Sequence, residues 1–294
     1  MKRISLGIIA NTGKPEVGEV LPDFLRWLSD EGICYTVASD LAPLIDLKEM
    51  NTALPEDIAK KSDFVLSFGG DGTFLQTARL VAPLQVPIFG INMGEFGYLA
   101  EVPVEDMRQR VKDLLEGNFL EQERMMLQVN VTGDKSGEVH LSLNDVVIER
   151  GGSARIIRLD TSIDGEYLNT FNADGLIIAT STGSTGYSLS SGGPILEPCI
   201  HGIIINPISP HMLANRPLVV SDNRQIEIST FSHSGSFQVS VDGQKVWELE
   251  SNSSLTIKRA SCITRVVIFR DFSFNKLLRN KLHWRDRMHG EPIA

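Results

Sequence analysis

Phe64-Val-Leu-Ser-Phe-Gly69-Gly70-Asp71-Gly72-Thr73-Phe-Leu75 carries an apolar strand pattern into three glycines set around one carboxylate. A helical pattern over Thr73 to Val81 follows. A strand that enters a helix through a glycine turn is the repeating unit of a parallel α/β sheet. Such a turn aims backbone N–H groups at open space, where a phosphate can sit. Asp71 needs a separate reason, because phosphates repel a carboxylate. It can accept a proton from a hydroxyl that attacks phosphorus, or it can cap the helix beginning near Thr73. The turn is not a Walker A loop, since no Gly-Lys-Ser/Thr follows at the required spacing. Nor is it a dinucleotide fingerprint, since Leu75 stands where the third glycine would fall.

Outward from this turn, the first third of the chain alternates strand and helix. Strand patterns at Ile4–Ala10, Tyr35–Ser39, Asp63–Phe68 and Val86–Ile91 are separated by helical ones. A helix is expected over Pro22 to Glu31, with Leu21, Phe24, Leu25 and Leu28 as its apolar stripe. Another is expected over Glu105 to Glu116, apolar at Met107, Val111, Leu114 and Leu115. This grammar gives a doubly wound parallel sheet, an α/β domain covering residues 1–122. Ligands then bind at the carboxyl ends of its strands, where Gly69–Gly72 and Asn92–Gly97 should lie. After residue 122 short alternating runs replace the helices: Leu127–Thr132, Val139–Glu149, Arg155–Ile163, Gln225–Phe231 and Phe237–Val241. Asp164-Gly165 and Asp242-Gly243 are hairpin signals. Residues 123–264 are therefore expected to form a mostly β, sheet-on-sheet domain. The remaining residues, 265–294, open with an apolar strand at Arg265–Phe269 and should return to pack on the first domain. The cleft between the two domains is the expected site.

Composition narrows the function. The chain has 294 residues, 42% of them hydrophobic, and a net charge of −9. No dense Lys/Arg tract supplies the basic footprint that a nucleic acid needs. The most basic segment, Lys276 to Arg287, spaces Leu277, Leu278 and Leu282 as one face of a solvated helix. Cys34, Cys199 and Cys262 are far apart and form no C-x-x-C. A reduced, cytoplasmic chain without structural zinc fits them. Met1-Lys-Arg before Ile4–Ala10 imitates a signal peptide, but the apolar run is short, holds Ser5 and Gly7, and reads as a buried strand. No apolar stretch is long enough to span a bilayer.

A second constellation lies at Asp174-Gly-Leu-Ile-Ile-Ala-Thr-Ser-Thr-Gly-Ser-Thr-Gly-Tyr-Ser-Leu-Ser-Ser-Gly-Gly-Pro194. From Ser181 to Gly193 only Tyr187 and Leu189 are not Gly, Ser or Thr. Such a composition can be a flexible linker. Following a buried strand this abruptly, it reads better as a packed loop offering hydroxyls and N–H groups to a polar ligand. Gly183-Ser-Thr-Gly186 lacks the Gly-x-Ser-x-Gly spacing of a serine-hydrolase elbow.

With both segments in hand, the chain resembles the NAD kinases over nearly its whole length. The resemblance rests on Gly69-Gly-Asp-Gly72, Gly90-Ile-Asn-Met-Gly-Glu-Phe-Gly97, Asn144-Asp145, the Asp174–Tyr187 segment and Pro210-His-Met-Leu-Ala-Asn-Arg-Pro217. The glycine-aspartate turn also occurs in diacylglycerol and sphingosine kinases, so Asn144-Asp145 and the Asp174–Pro194 segment make the match specific. The resemblance implies transfer of the terminal phosphoryl group of ATP, carried with Mg²⁺ or another divalent cation, to the 2′-hydroxyl of the adenosine ribose of NAD. Asp71 matches the family's general base, and Gly69, Gly70 and Gly72 would admit the donor phosphates. Asn144 and Asp145 match the pair holding the adenosine half. Asp174, Thr185, Gly186, Tyr187, Ser188, Leu189 and Ser190 match the loop closing round the dinucleotide. Arg155 and Gln244 fall at further contact positions. Members commonly form homodimers or homotetramers.

Three positions depart from common family patterns. The pair is often Asn-Glu, and here it is Asn144-Asp145, one methylene shorter. Asn172 stands where some bacterial members carry a basic residue, and Thr73 where some have Asn. No protein metal-ligand cluster is visible, so magnesium would arrive with the nucleotide. Two other readings stay open from the residues alone. One is a lipid or sugar kinase sharing the glycine-aspartate turn, which would need an apolar entry or a membrane-facing helix. The other is a non-catalytic dinucleotide sensor, which has no use for a base at Asp71.

Overall fold

Short apolar runs between glycine and proline stops form the elements that hold the site. A computed structural model of the chain describes residues 4–45, 50–94, 97–131, 139–151, 157–212, 214–231, 236–251 and 253–284. The first part alternates β1 (Ser5–Ala10), α1 (Pro15–Asp30), β2 (Cys34–Ala38), β3 (Thr52–Ala53), α2 (Pro55–Ile58), β4 (Phe64–Gly69), α3 (Asp71–Val81), β5 (Ile88–Asn92), β6 (Val102–Pro103) and α4 (Met107–Leu115). Strands β3, β2, β1, β4 and β5 lie side by side and parallel. Both faces are covered, so β1 and β4 read as continuous apolar runs rather than alternating ones.

The helix expected over Pro22 to Glu31 begins a full two turns earlier, at Pro15. Pro15 occupies the first helical turn, where its missing N–H costs nothing. Val17 and Leu21 then extend the buried stripe of Phe24, Leu25 and Leu28. Pro22 sits inside the helix, where it cannot donate to the Gly18 carbonyl one turn back.

The second part is built of β7 (Leu120–Val131), β8 (His140–Ser142), β9 (Asp145–Arg150), β10 (Ile157–Ile163), β11 (Glu166–Ala173), β12 (Gly175–Thr180), α5 (Tyr187–Ser190), β13 (Gly202–Ile208), β14 (Leu218–Ser221), β15 (Ile226–Phe231), β16 (Phe237–Val241), β17 (Lys245–Leu249) and β18 (Ser254–Ile268), followed by α6 (Phe274–Lys281). Strands β14, β13, β12, β9, β16 and β17 make one antiparallel sheet in that order. Strands β11, β10, β15, β18 and β7 pair antiparallel and face it. Val146, Ile148, Leu176, Ile178, Ile203 and Phe237 from the first meet Leu127, Val129, Leu159, Ile228 and Ile257 from the second in one core. The expected sheet-on-sheet part is thus present. Both Asp-Gly hairpins form with left-handed backbone, at Asp164-Gly165 and Asp242-Gly243.

The strand expected over Arg265–Phe269 is the end of the longer β18. Its first half pairs with β15 and β7, and its last residues lie parallel to β5 at Val266 and Ile88. Val266, Val267 and Phe269 enter the core of the α/β part, as expected for a returning tail. The run Val139–Glu149 is not one strand but two, β8 and β9, broken at Leu143-Asn144. A buried carboxylate in the turn between β16 and β17 causes the break.

Candidate active site

Gly69 ends β4 and Asp71 begins α3, so the glycine turn lies at the carboxyl edge of the parallel sheet. Asp71 does not cap α3. Gly70 holds the cap position with no side-chain bond. The Asp71 carboxylate instead accepts three backbone N–H groups of the loop after β5: Tyr98 N on Oδ2 at 2.8 Å, and Leu99 N and Ala100 N on Oδ1 at 2.9 and 3.2 Å. Gly97 makes this approach possible, since a Cβ there would stand 2.0 Å from Oδ1. Each carboxylate oxygen has about two acceptor positions. Oδ1 uses both and Oδ2 uses one, so Oδ2 keeps an acceptor position open. Nothing lies within 4 Å of a Cβ built on Gly70, so the space beside the turn is clear.

The Asn144-Asp145 turn is shaped by Asp242. This buried carboxylate accepts Ser142 Oγ at 2.7 Å and Asn144 N at 2.8 Å, with Leu143 N and Asp145 N at 3.3 Å. Arg79 of α3 closes the set with an ion pair of 2.5 Å. The four donors converge on this one carboxylate, which turns the chain at Leu143-Asn144 and separates β8 from β9. Gln244 then ties this turn to the glycine turn. Its amide nitrogen donates to the Gly72 carbonyl, and its amide oxygen accepts from Arg79. The glycine turn and the Asn144-Asp145 turn are thereby joined by Gly72, Gln244, Arg79, Asp242 and Asn144.

Alternate residues of β9 face opposite ways, as a strand requires. Val146 and Ile148 enter the sandwich core. Asp145, Val147 and Glu149 face outward and, with Asn144, Tyr187 and Ser240, line a cleft of about 430 Å³. Asp145 is buried, and that burial, aided by the charges of Asp242 and Glu149, pushes its carboxyl up to about 7. The Asn144 Oδ1 is buried and has no partner among the described residues. The serine-threonine loop packs onto this turn. A Cβ at Gly183 would fall 2.1 Å from the Asn144 carbonyl, and one at Gly186 would fall 3.4 Å from the Asn144 amide. Tyr187 is exposed at the mouth of the cleft, and burial of its ring, then Glu149, Asp145 and Asp174, push its hydroxyl up.

The structure brings Asn144, Asp145, Gly186 and Tyr187 together. Asp174 lies toward the other end of the same cleft, next to Gly175, which pairs with the cleft residue Glu149. It precedes β12 beside Arg150, at 3.4 Å, whereas Ala179 of the same strand pairs with Asp145. Five residues of strand separate the two ends, about 17 Å. Ser188 is buried and holds the Asn206 amide with its carbonyl and hydroxyl. Thr185 donates to the Thr182 carbonyl, Leu189 is half-buried and Ser190 is exposed. Gln244 bridges rather than lines the cleft. Arg155 falls outside the described residues. His211 sits in a turn where its N–H donates to the Asn172 carbonyl.

Asp242, Arg79 and Glu149 were not singled out from the sequence. Glu149 could have been found by counting by twos from Asp145. Asp242 was legible only as a hairpin residue, because its partners are about 100 residues earlier in the chain, as with Ser142.

Two family models match the chain. Residues 6–119 match the ATP-NAD kinase N-terminal domain, and residues 143–268 match the ATP-NAD kinase C-terminal domain. The NAD kinase of Geotalea daltonii is 42% identical over 288 residues, covering 98% of this chain and all of its own. That of Geobacter sulfurreducens is 39% identical over 290 residues, with 98% of this chain and 100% of the relative covered. Among solved structures, yeast NADH kinase complexed with NADH superposes with a TM-score of 0.88 at 26% identity, covering 98% of this chain and 90% of the yeast chain. An NAD kinase from Archaeoglobus fulgidus in complex with ATP superposes with a TM-score of 0.73 at 26% identity, covering 95% and 99%. With both halves matched and a relative 42% identical over 98% of the chain, the chain belongs to the ATP-NAD kinase family.

Proposed function

We propose that this enzyme moves the terminal phosphoryl group of ATP to the 2′-hydroxyl of the adenosine ribose of NAD, giving ADP and NADP. The observation that carries the reading is the hydrogen-bonded link from the glycine turn to the Asn144-Asp145 turn through Gln244 and Arg79. It fixes a phosphate-admitting loop against an acidic cleft that suits a sugar. In this reading Asn144 offers its unpartnered Oδ1 to the adenine amino group, and Asp145 accepts a ribose hydroxyl. Tyr187 covers the mouth, with Thr185, Gly186, Ser188, Leu189 and Ser190 shaping the loop behind it. Asp174, at the far end of β12, would meet the more distant part of an extended dinucleotide.

Asp71 is the general base. Its amide partners fix the carboxylate plane and leave an acceptor position on Oδ2 for the 2′-hydroxyl proton. As that proton passes to Oδ2, the ribose oxygen forms its bond to the γ-phosphorus. The bond from phosphorus to the bridging oxygen breaks, and its electron pair leaves with ADP. A positioned base of this kind contributes about 10²–10⁴ in rate. The amides around Gly69, Gly70 and Gly72 take up charge on the phosphates. Among the described residues no group of three or more His, Cys, Asp or Glu side chains could hold a metal ion. Magnesium would therefore be carried by the donor's phosphates, where it neutralises their charge.

The free thiols Cys34, Cys199 and Cys262 suit the cytoplasm, and among the described residues no helix is long and apolar enough to cross a membrane. Edge strand β14 exposes Leu218 and Val219, and this unpaired edge suits a second copy in a homodimer or homotetramer. Residues 1–122 with 265–294 form the donor half, and 123–264 the dinucleotide half. The test of function is formation of NADP from NAD, ATP and Mg²⁺ by the purified chain, with NADH and polyphosphate as alternative substrates. NAD binding without product would make it a sensor instead.

A further inference from the structure

Three neighbouring strands of the parallel sheet end level with one another. Ala10 of β1 pairs with Phe68 of β4, and Gly69 of β4 pairs with Asn92 of β5. The links continue one residue further, from Asn11 N to the Phe68 carbonyl and from Met93 N to the Gly69 carbonyl. Strands β1 and β5 flank β4 and so lie about 10 Å apart. Lys14 leaves the end of β1 in extended backbone at the cap position of α1. Its ammonium nevertheless reaches the Met93 carbonyl beyond β5, at 2.8 Å. The side chain therefore crosses the end of β4, directly over the point where Gly69 and Gly70 emerge. A Cβ on Gly94 would come within 3.0 Å of the ammonium, so glycine there leaves it room.

Among the described residues nothing matches the charge of Lys14. Among the described residues its one hydrogen-bond partner is that neutral carbonyl, and no carboxylate lies within 4.0 Å of it. The nearest acid of the turn, Asp71, is directed to the Tyr98–Ala100 amides. A half-buried ammonium without a counter-ion is costly. An anion above the glycine turn would remove that cost, and a polyphosphate is the anion the turn admits.

We propose that Lys14 binds the donor's phosphates, holding the charge that grows on the leaving diphosphate as the phosphoryl group departs. This rests on the reading of the site as a phosphotransferase. Two of the three ammonium hydrogens remain for phosphate oxygens. The Met93 carbonyl acts as the positioning group that holds the cation across β4. The recipient is the nucleoside triphosphate, not the dinucleotide, because Lys14 is on the α/β side of the link formed by Gln244.

The test compares wild type with K14M, which keeps the stem and removes the charge, and K14R, which keeps the charge. ATP with Mg²⁺ and, separately, NAD are titrated calorimetrically, and initial rates give KM for ATP, KM for NAD and kcat. K14M is expected to weaken ATP binding about tenfold or more, to lower kcat, and to leave NAD affinity within about twofold. K14R is expected to recover most of the ATP loss. ATP affinity and kcat both near wild type in a folded K14M overturn the proposal, as does an equal loss for ATP and NAD. If K14M melts below wild type, K14Q and K14R are compared below both transitions, and equal ATP affinities in that pair overturn it. A wild type that forms no NADP would refute the function reading instead, while the ATP titration would still decide the role of Lys14.

Discussion

Asp71 and Asp145 are two aspartates given different work by their surroundings. Asp71 accepts three amides and keeps one acceptor position open. Asp145 is buried beside two other carboxyl groups, and its own is pushed up to about 7. A protonated Asp145 accepts a ribose hydroxyl less well than the carboxylate does. KM for NAD is therefore expected to rise as pH falls from 8 to 6, and Asp145→Asn is expected to flatten that dependence. An unchanged profile in the variant would contradict the assignment. The same shift has a sign in stability. The folded carboxyl binds its proton more tightly than an ordinary aspartate, at 3.8, does in the unfolded chain. Its contribution therefore falls as pH rises from near 4 to 7, then stays level. Urea unfolding of Asp145→Asn should lack this part of the slope.

At the scale of elements, the site depends on β16 and β17 as much as on the glycine turn. Their Asp-Gly hairpin supplies Asp242, which gathers residues 142–145 and pairs with Arg79. Asp242→Asn puts a donor among donors and leaves the Arg79 charge unpaired. Breaking a buried pair of this kind costs about 3–5 kcal/mol. The variant is expected to lose that much stability in denaturant and to raise KM for NAD more than KM for ATP. Unchanged NAD affinity in the folded variant would show that the turn forms without Asp242. Much at this scale was legible in the sequence. Apolar runs marked β1, β2, β4 and β5, and Asp-Gly marked both hairpins. The break between β8 and β9 was not, because it is made by a carboxylate distant in sequence. The early start of α1 was missed because a proline in a helix interior ordinarily reads as a helix start.

Across the whole molecule, β18 is the element that unites the parallel and antiparallel parts. It pairs with β15, β7 and β5 and delivers Phe269 into the first core, against Phe89 at 5.3 Å. Only its end, the apolar run Arg265–Phe269, was marked as a strand in the sequence, and the pairing register shifts between Arg259 and Ile263. Phe269→Ala is expected to cost about 3–5 kcal/mol of stability, measured by denaturant unfolding, although the residue lies outside the candidate site. Kinetic constants below the transition should stay near wild type. A large stability cost with altered KM for both substrates would show that β18 also sets the spacing of the two halves.

The central claim is that the Asp71 carboxylate takes the ribose proton. Its most direct test is kcat of Asp71→Asn at saturating ATP and NAD, measured beside the NAD dissociation constant of the same protein. The account expects kcat to fall about 10²-fold or more while the dissociation constant stays within about twofold. A near-normal kcat would contradict it.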